Sequence, residues 1–243
     1  MTLPGVRINK YLADQGHATR RGADELIEKG RVLLNGAPAK LGDRVHEGDV
    51  VEVRFRKPKD RPSYAYYAYN KPRGVVTHSP EEGQEDIADV LPELAPLKVF
   101  PVGRLDRDSH GLIILTNDGR VTDRLLSPSR NHDKEYVVRT KLPLRSSFKA
   151  CMEEGVMIEG YQTRPAKVRL MGEETASITL TEGKKHQVRR MVVALHNEVA
   201  DLKRVRIMNI KLGTLKAGKA RPIEGAELSE FLALLGLPPQ PSP

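Results

Sequence analysis

The segment Gly103-Arg-Leu-Asp106-Arg-Asp-Ser-His-Gly111 sets an acid between Arg104 and Arg107, just before the apolar run Leu112-Ile-Ile-Leu-Thr116. A Leu-Asp pair near a glycine is ordinarily no more than a turn. Here two flanking guanidiniums favour the ionised carboxylate, and a buried strand behind it would hold it still. A fixed, ionised carboxylate can attack an electrophilic centre or stabilise a cation developing beside it. A second segment, Lys134-Glu-Tyr136-Val-Val, opens a strand. A tyrosine there is commonly a half-buried strand residue. The third is Leu180-Thr-Glu-Gly183-Lys-Lys-His186-Gln-Val-Arg189-Arg190-Met191. A strand ends, a glycine turns, and a helix starts with basic residues crowding its first turn, against the dipole preference for acids. That placement suggests an anionic partner, either nucleic acid or a carboxylate.

Other chemistries have no visible support. There is no Gly-x-Gly-x-x-Gly and no Walker-type loop, so a nucleotide cofactor has no cradle. The single Cys151 forbids an internal disulfide and a cysteine-rich zinc site, and the seven histidines lack metal-binding spacing. Neither a cofactor nor a metal is therefore expected. No apolar run approaches a membrane span and the N-terminus lacks a signal-peptide core, so a cytoplasmic protein is expected.

The elements that must position these residues fall into two groups. Residues 1–55 read as a small module in the order helix, helix, short strands. Ile8, Tyr11 and Leu12 form one apolar face, ended by Gly16. Thr19 is the expected N-cap of a second helix that buries Ala23, Leu26 and Ile27 and closes at Gly30. Val32 to Leu34, an Asn35-Gly36 turn and an alternating strand through Val51, Val53 and Phe55 follow. Residues 56–64, with two prolines and four basic residues, read as an exposed linker. Residues 65–237 form the larger domain, and 238–243 a frayed tail.

In the larger domain, strands are expected over Ala65–Tyr69, Leu112–Thr116, Tyr136–Arg139, Ala166–Leu170 and Ser177–Thr181. Helices are expected over Arg145–Glu154, His186–His196 and Glu227–Leu235. Strands outnumber helices without regular alternation, which argues α+β with a mainly antiparallel mixed sheet.

With 39% hydrophobic and 30% charged residues the chain reads as globular and polar. Its net charge of +8 and pI near 9.5 fit a phosphate-bearing partner. Thr19-Arg20-Arg21 would gather free backbone N–H groups and two guanidiniums at a helix start, with Arg7, Lys10, Lys29 and Arg31 nearby. A solvated basic face would look the same. The continuous pattern over residues 7–53, however, resembles the S-four type of RNA-binding domain. The resemblance implies RNA binding by the two-helix face, with Arg7, Lys10, Arg20, Arg21 and Lys29 on phosphates.

The three segments described first, in their order, together with the Asn70-Lys-Pro-Arg-Gly74 turn, resemble the RsuA-like family of ribosomal RNA pseudouridine synthases. The match runs over residues 66–223. Leu202-Lys-Arg-Val-Arg-Ile-Met-Asn-Ile-Lys-Leu212 is most similar to the RluF type, which acts on large-subunit 23S RNA. The resemblance implies that a uridine is flipped out and isomerised with no cofactor, with Asp106 as nucleophile. Arg189 would pair with Asp106, and Tyr136 would stack on the base and assist proton removal. Leu180 would line the pocket, and Lys134 and Arg104 would contact phosphates. Structured RNA is the implied partner, with transfer RNA possible as a second substrate, and the chain is expected to be a monomer. An inactive relative would have lost Asp106, Tyr136 or Arg189; a methyltransferase would show a glycine-rich cofactor loop. Neither pattern is present.

Overall fold

The computed structural model describes residues 5–54, 64–77, 80, 82–127 and 131–239. The first module runs β1 (Val6–Arg7), α1 (Ile8–Asp14), α2 (Arg20–Glu28), β2 (Val32–Leu34), β3 (Ala37–Pro38), β4 (Arg44–Val45) and β5 (Val51–Val53). Thr19 caps α2 as expected, its Oγ1 accepting from the amide of Gly22 at 3.1 Å. Asn35 and Gly36 both take positive φ, 52° and 81°, the backbone of a tight two-residue hairpin turn. Ile8, Leu12, Ala23, Ile27, Val32, Ala39 and Val45 close a small core of their own. The linker expected at 56–64 and the last residue of the alternating strand, Phe55, lie outside the described residues, Tyr64 excepted.

The second domain is built on β6 (Tyr66–Lys71), β7 (Phe100–Val102), β8 (His110–Thr116), β9 (Lys134–Thr140), β12 (Lys167–Leu170), β13 (Thr175–Leu180), β14 (Val199–Ile207), β15 (Ile210–Lys211) and β16 (Ala220–Pro222). Two short strands, β10 (Met157–Ile158) and β11 (Tyr161–Gln162), pair with each other in a separate two-stranded sheet. The main sheet runs β12-β13-β9-β14-β8-β6-β16, with β15 on β14 and β7 on β8. Every pairing is antiparallel except β14 with β8. The α+β class and the mainly antiparallel mixed sheet are therefore as expected.

Helices α4 (Gly119–Leu125) and α7 (Gly225–Leu234) cover one part of the sheet; Val121, Leu125, Phe231 and Leu232 pack on Tyr66, Ala68, Leu112 and Ile114. Helices α5 (Phe148–Glu154) and α6 (Gln187–Ala194) cover β9, β12 and β13 through Phe148, Met152, Val188 and Met191. A short α3 (Ile87–Val90) and a 3₁₀ segment (Pro92–Leu97) pack Ile87 and Leu94 on Ile113 and Leu115. Because β8 is apolar on both faces, it is buried throughout from Gly111 to Thr116 and forms a rigid base for the loop that precedes it.

The longest strand, β14, was not among the strands expected from sequence. Its nine residues Val-Ala-Asp-Leu-Lys-Arg-Val-Arg-Ile carry four charges, and Arg204 among them is buried. Alternation hides such a strand when inward positions hold arginine. The expected helices over Arg145–Glu154 and His186–His196 exist but start later, at Phe148 and Gln187.

Candidate active site

Asp106 lies in the loop between β7 and β8, partly open to solvent. Three sets of hydrogen bonds pin this loop. Thr77 Oγ1 donates to the carbonyl of Leu105 at 2.8 Å and accepts from its amide at 3.1 Å. The amide of Gly74 donates to the carbonyl of Arg107 at 2.9 Å, while Arg107 Nε donates back to the Gly74 carbonyl at 3.2 Å. The amide of Ser109 donates to the carbonyl of Asp106 at 3.0 Å. The Asn70-Lys-Pro-Arg-Gly74 turn is thus the brace of the acid loop.

His186 sits against the Asp106 carboxylate, with Nδ1 at 3.1 Å from Oδ2. His186 adopts a left-handed conformation, φ 53°, at the start of α6, which turns its ring toward the loop. Arg189, expected on Asp106, instead donates from Nη2 to Ser109 Oγ at 3.2 Å. The two side chains stand three residues apart at the start of α6, so both face the loop, and His186 takes the carboxylate. Ser109 is buried, so its hydroxyl fixes Arg189 against the base of the loop.

Two buried cations, Lys71 and Arg204, back this arrangement, with the partly buried Lys134 next to Arg204. Lys71 is fully buried and donates to the carbonyls of Pro72 at 3.0 Å and Val75 at 2.7 Å. Burial pushes its ammonium down to about 8, while the negative charge of Asp106 pulls the other way. Lys134 is also pushed down to about 8 by burial, with Arg204 adding repulsion. Arg204 Nε donates to the carbonyl of Leu112 at 2.7 Å and Nη1 to that of Arg104 at 3.4 Å. Arg204 therefore ties β14 to the residue two before Asp106.

Gly111 makes this possible. Its φ is 102°, and a Cβ there would lie 2.3 Å from the carbonyl oxygen of Arg204. Only glycine lets β8 and β14 come together in parallel at this point. Tyr136 is the register partner of Arg204 on the other side, and of Ile178 on β13. It is half-buried and packs on the cluster that contains Val138 and Leu180. Leu180 is 2% exposed and belongs to that core, so it floors the region and offers no free surface to a ligand.

The basic module meets the second domain at α4. Tyr64 Oη donates to the carbonyl of Gly16 at 3.0 Å, and the Arg120 guanidinium stacks over the Tyr64 ring at 4.7 Å. Arg120 is itself held by Asp118 at 2.9 and 2.8 Å. A Cβ at Gly16, φ 77°, would lie 2.5 Å from Arg120 Nη1, so a glycine permits the contact. Two cations expected on phosphates are engaged here: Arg20 lies 3.0 Å and Lys10 3.8 Å from Asp123 of α4. Lys10 also pairs with Asp14 at 2.9 Å, and Lys29 with Glu25 at 3.2 Å. Arg7, Arg21 and Arg104 are exposed and have no side-chain partner among the described residues.

A braced carboxylate on a mixed sheet, joined to a basic two-helix module, defines an RNA-modifying enzyme, and the chain belongs to the RNA pseudouridylate synthase family. The model of that family matches residues 65–194, and that of the S4 domain matches residues 6–51. The family isomerises uridine to pseudouridine.

The dual-specificity RNA pseudouridine synthase RluF of Escherichia coli strain K12 is 38% identical over 232 residues, 95% of this chain and 79% of RluF. The ribosomal large subunit pseudouridine synthase B of Bacillus subtilis strain 168 is 36% identical over 237 residues, 94% of this chain and 96% of that one. A crystal structure of a pseudouridylate synthase superposes with a TM-score of 0.68 at 28% identity, covering 94% of this chain and 99% of the other. The resemblance read from the three segments is thereby borne out at the level of family and fold.

Sequence reasoning missed His186, Lys71, Ser109 and Arg204 as parts of the site. Lys71 and His186 stand inside motifs that were singled out, and Arg204 inside the segment that suggested the subtype. No feature of the chain by itself shows that they converge on one loop.

Proposed function

We propose that this chain isomerises a uridine of ribosomal RNA, in the large subunit, with Asp106 as the nucleophile. The supporting observation is the Asp106 loop, braced by Thr77, Gly74 and Arg204 and presenting a half-exposed carboxylate beside His186. The names of the RluF and synthase B relatives support an RNA substrate of this kind. The reaction breaks the C1′–N1 bond, turns the base and joins C1′ to C5, and the C5 proton is then lost. A preorganised carboxylate can attack the nucleotide or stabilise an oxocarbenium as the bond breaks.

Arg189 holds the loop through Ser109, and Tyr136 stacks on the flipped base and assists loss of the C5 proton. Residues 1–55 clamp the RNA. Arg7, Arg21, Arg104, Lys29 and Lys134 contact phosphates. Lys10 and Arg20 exchange Asp123 for phosphate, a change that costs little because half-exposed ion pairs contribute about 0–1 kcal/mol. Leu180 supports the base pocket from below. The chain acts in the cytoplasm as a monomer.

The test is release of tritium from C5-labelled uridine in 23S ribosomal RNA, with 16S ribosomal RNA and bulk transfer RNA in parallel. Release from 23S RNA at one equivalent per molecule is expected. Release confined to 16S RNA or transfer RNA would refute the large-subunit assignment.

Replacing Tyr136 by Phe keeps the ring and removes the hydroxyl. RNA binding should change by less than about 1 kcal/mol, with a larger loss in turnover. Wild-type rates in a single-turnover assay would reduce Tyr136 to a packing residue.

A further inference from the structure

A second basic site is built from residues of neither the S4 module nor the Asp106 loop. A cavity of about 560 Å³ is lined by residues 211–216, Lys219 and Arg221. Four of these are cationic, and none is acidic. Arg221 is spoken for: it forms a two-pronged pair with Glu227 at 2.7 and 2.8 Å and donates to the Lys211 carbonyl at 3.1 Å. Lys211, Lys216 and Lys219 are exposed and have no ion pair or side-chain hydrogen bond among the described residues. Three unneutralised ammonium groups around one concavity repel each other, a cost that a bound polyanion relieves.

The cavity is not a floppy appendage. Its loop is tied to one residue of β6: Asn70 Nδ2 donates to the Leu215 carbonyl at 2.7 Å, the Gly218 amide to the Asn70 carbonyl at 2.8 Å, and the Asn70 amide to the Lys219 carbonyl at 3.0 Å. Asn70 begins the turn whose Gly74 braces the Asp106 loop. An anion held by the three lysines is therefore held in fixed relation to the acid.

We propose that Lys211, Lys216 and Lys219 form a phosphodiester-binding groove that grips the substrate RNA beside the catalytic cleft, independently of the S4 module. This rests on the reading that the chain acts on structured RNA. RNA is favoured over a protein partner because the lining carries four cationic side chains and no carboxylate, and because the chain belongs to an RNA-modifying family.

The test replaces all three lysines by alanine and measures filter binding to a 23S ribosomal RNA transcript across a salt series. A control variant replaces the exposed Lys141, Lys149 and Lys167, removing equal charge elsewhere. The groove variant should lose about 2 to 3 from the log–log salt slope, at roughly 0.7–0.9 per phosphate contact, and at least about tenfold in affinity at low salt. The control should lose well under one. The single-turnover rate at saturating RNA should stay within about twofold of wild type, and the thermal midpoints of all three proteins should agree.

An unchanged slope overturns the groove, and so does an equal loss in both variants, which would reflect bulk charge alone. Unchanged binding to RNA with altered association to another protein would assign the lysines to a protein partner and likewise overturn it. If the wild-type chain binds 23S RNA no better than an unrelated duplex, the substrate assignment fails first and the groove with it. If the wild type binds and only the groove variant is unaffected, the groove alone fails.

Discussion

Replacing Asp106 by Asn should abolish tritium release while leaving RNA affinity near wild type. The amide is nearly isosteric and keeps the backbone bond from Ser109 to the residue 106 carbonyl. It cannot act as a nucleophile, and it leaves His186 without an anion at 3.1 Å. Loss of a nucleophile typically removes most of the rate acceleration, on the order of a thousandfold or more, whereas an ancillary contact costs about 10- to 100-fold. Affinity should change by less than about threefold, because contacts to phosphate dominate it. Asp108→Asn is the control: Asp108 is exposed and accepts no hydrogen bond among the described residues. If Asp106→Asn retains a tenth of the wild-type rate while Asp108→Asn is dead, the nucleophile has been placed on the wrong residue.

A comparably large effect is expected at Gly111, this time on the fold. Alanine there combines an unfavourable positive φ with a Cβ 2.3 Å from the Arg204 carbonyl oxygen and 2.9 Å from its amide nitrogen. Backbone atoms of two paired strands cannot step aside as the end of a side chain can. The variant must separate β8 from β14, and the strain should cost about 3 kcal/mol or more. Urea unfolding should show a correspondingly lower midpoint, and turnover should fall because Arg204 no longer holds the Arg104 carbonyl. Gly119→Ala, at a helix start with open space around it, should shift stability by less than about 1 kcal/mol. Equal midpoints for the two alanine variants would show that the parallel pairing tolerates a side chain.

Much of this molecule was legible before the fold was known. The N-cap at Thr19, the Asn35-Gly36 turn and the apolar run 112–116 are local features, set by backbone preferences over a few neighbouring residues. The acid loop, the tyrosine strand and the basic helix start were legible as motifs for the same reason. Strand β14 was not, because burying Arg204 requires acceptors that no nearby sequence supplies; they come from Leu112 and Arg104, 92 and 100 residues away.

The partners of charged groups were the least legible. Arg189 and His186 can each bond a carboxylate and stand three residues apart at the start of α6, and composition cannot rank them. Which of them reaches Asp106 depends on the left-handed turn at His186 and on a buried Ser109 that takes Arg189. Likewise Lys10 and Arg20 read as free phosphate ligands until α4 brings Asp123 within 3.8 and 3.0 Å. From the sequence alone follow the family, the two-module order and the α+β class, since each rests on local pattern. Ion pairs are chosen by proximity across long loops, and that choice was made only when the sheet brought β8, β14 and α6 together.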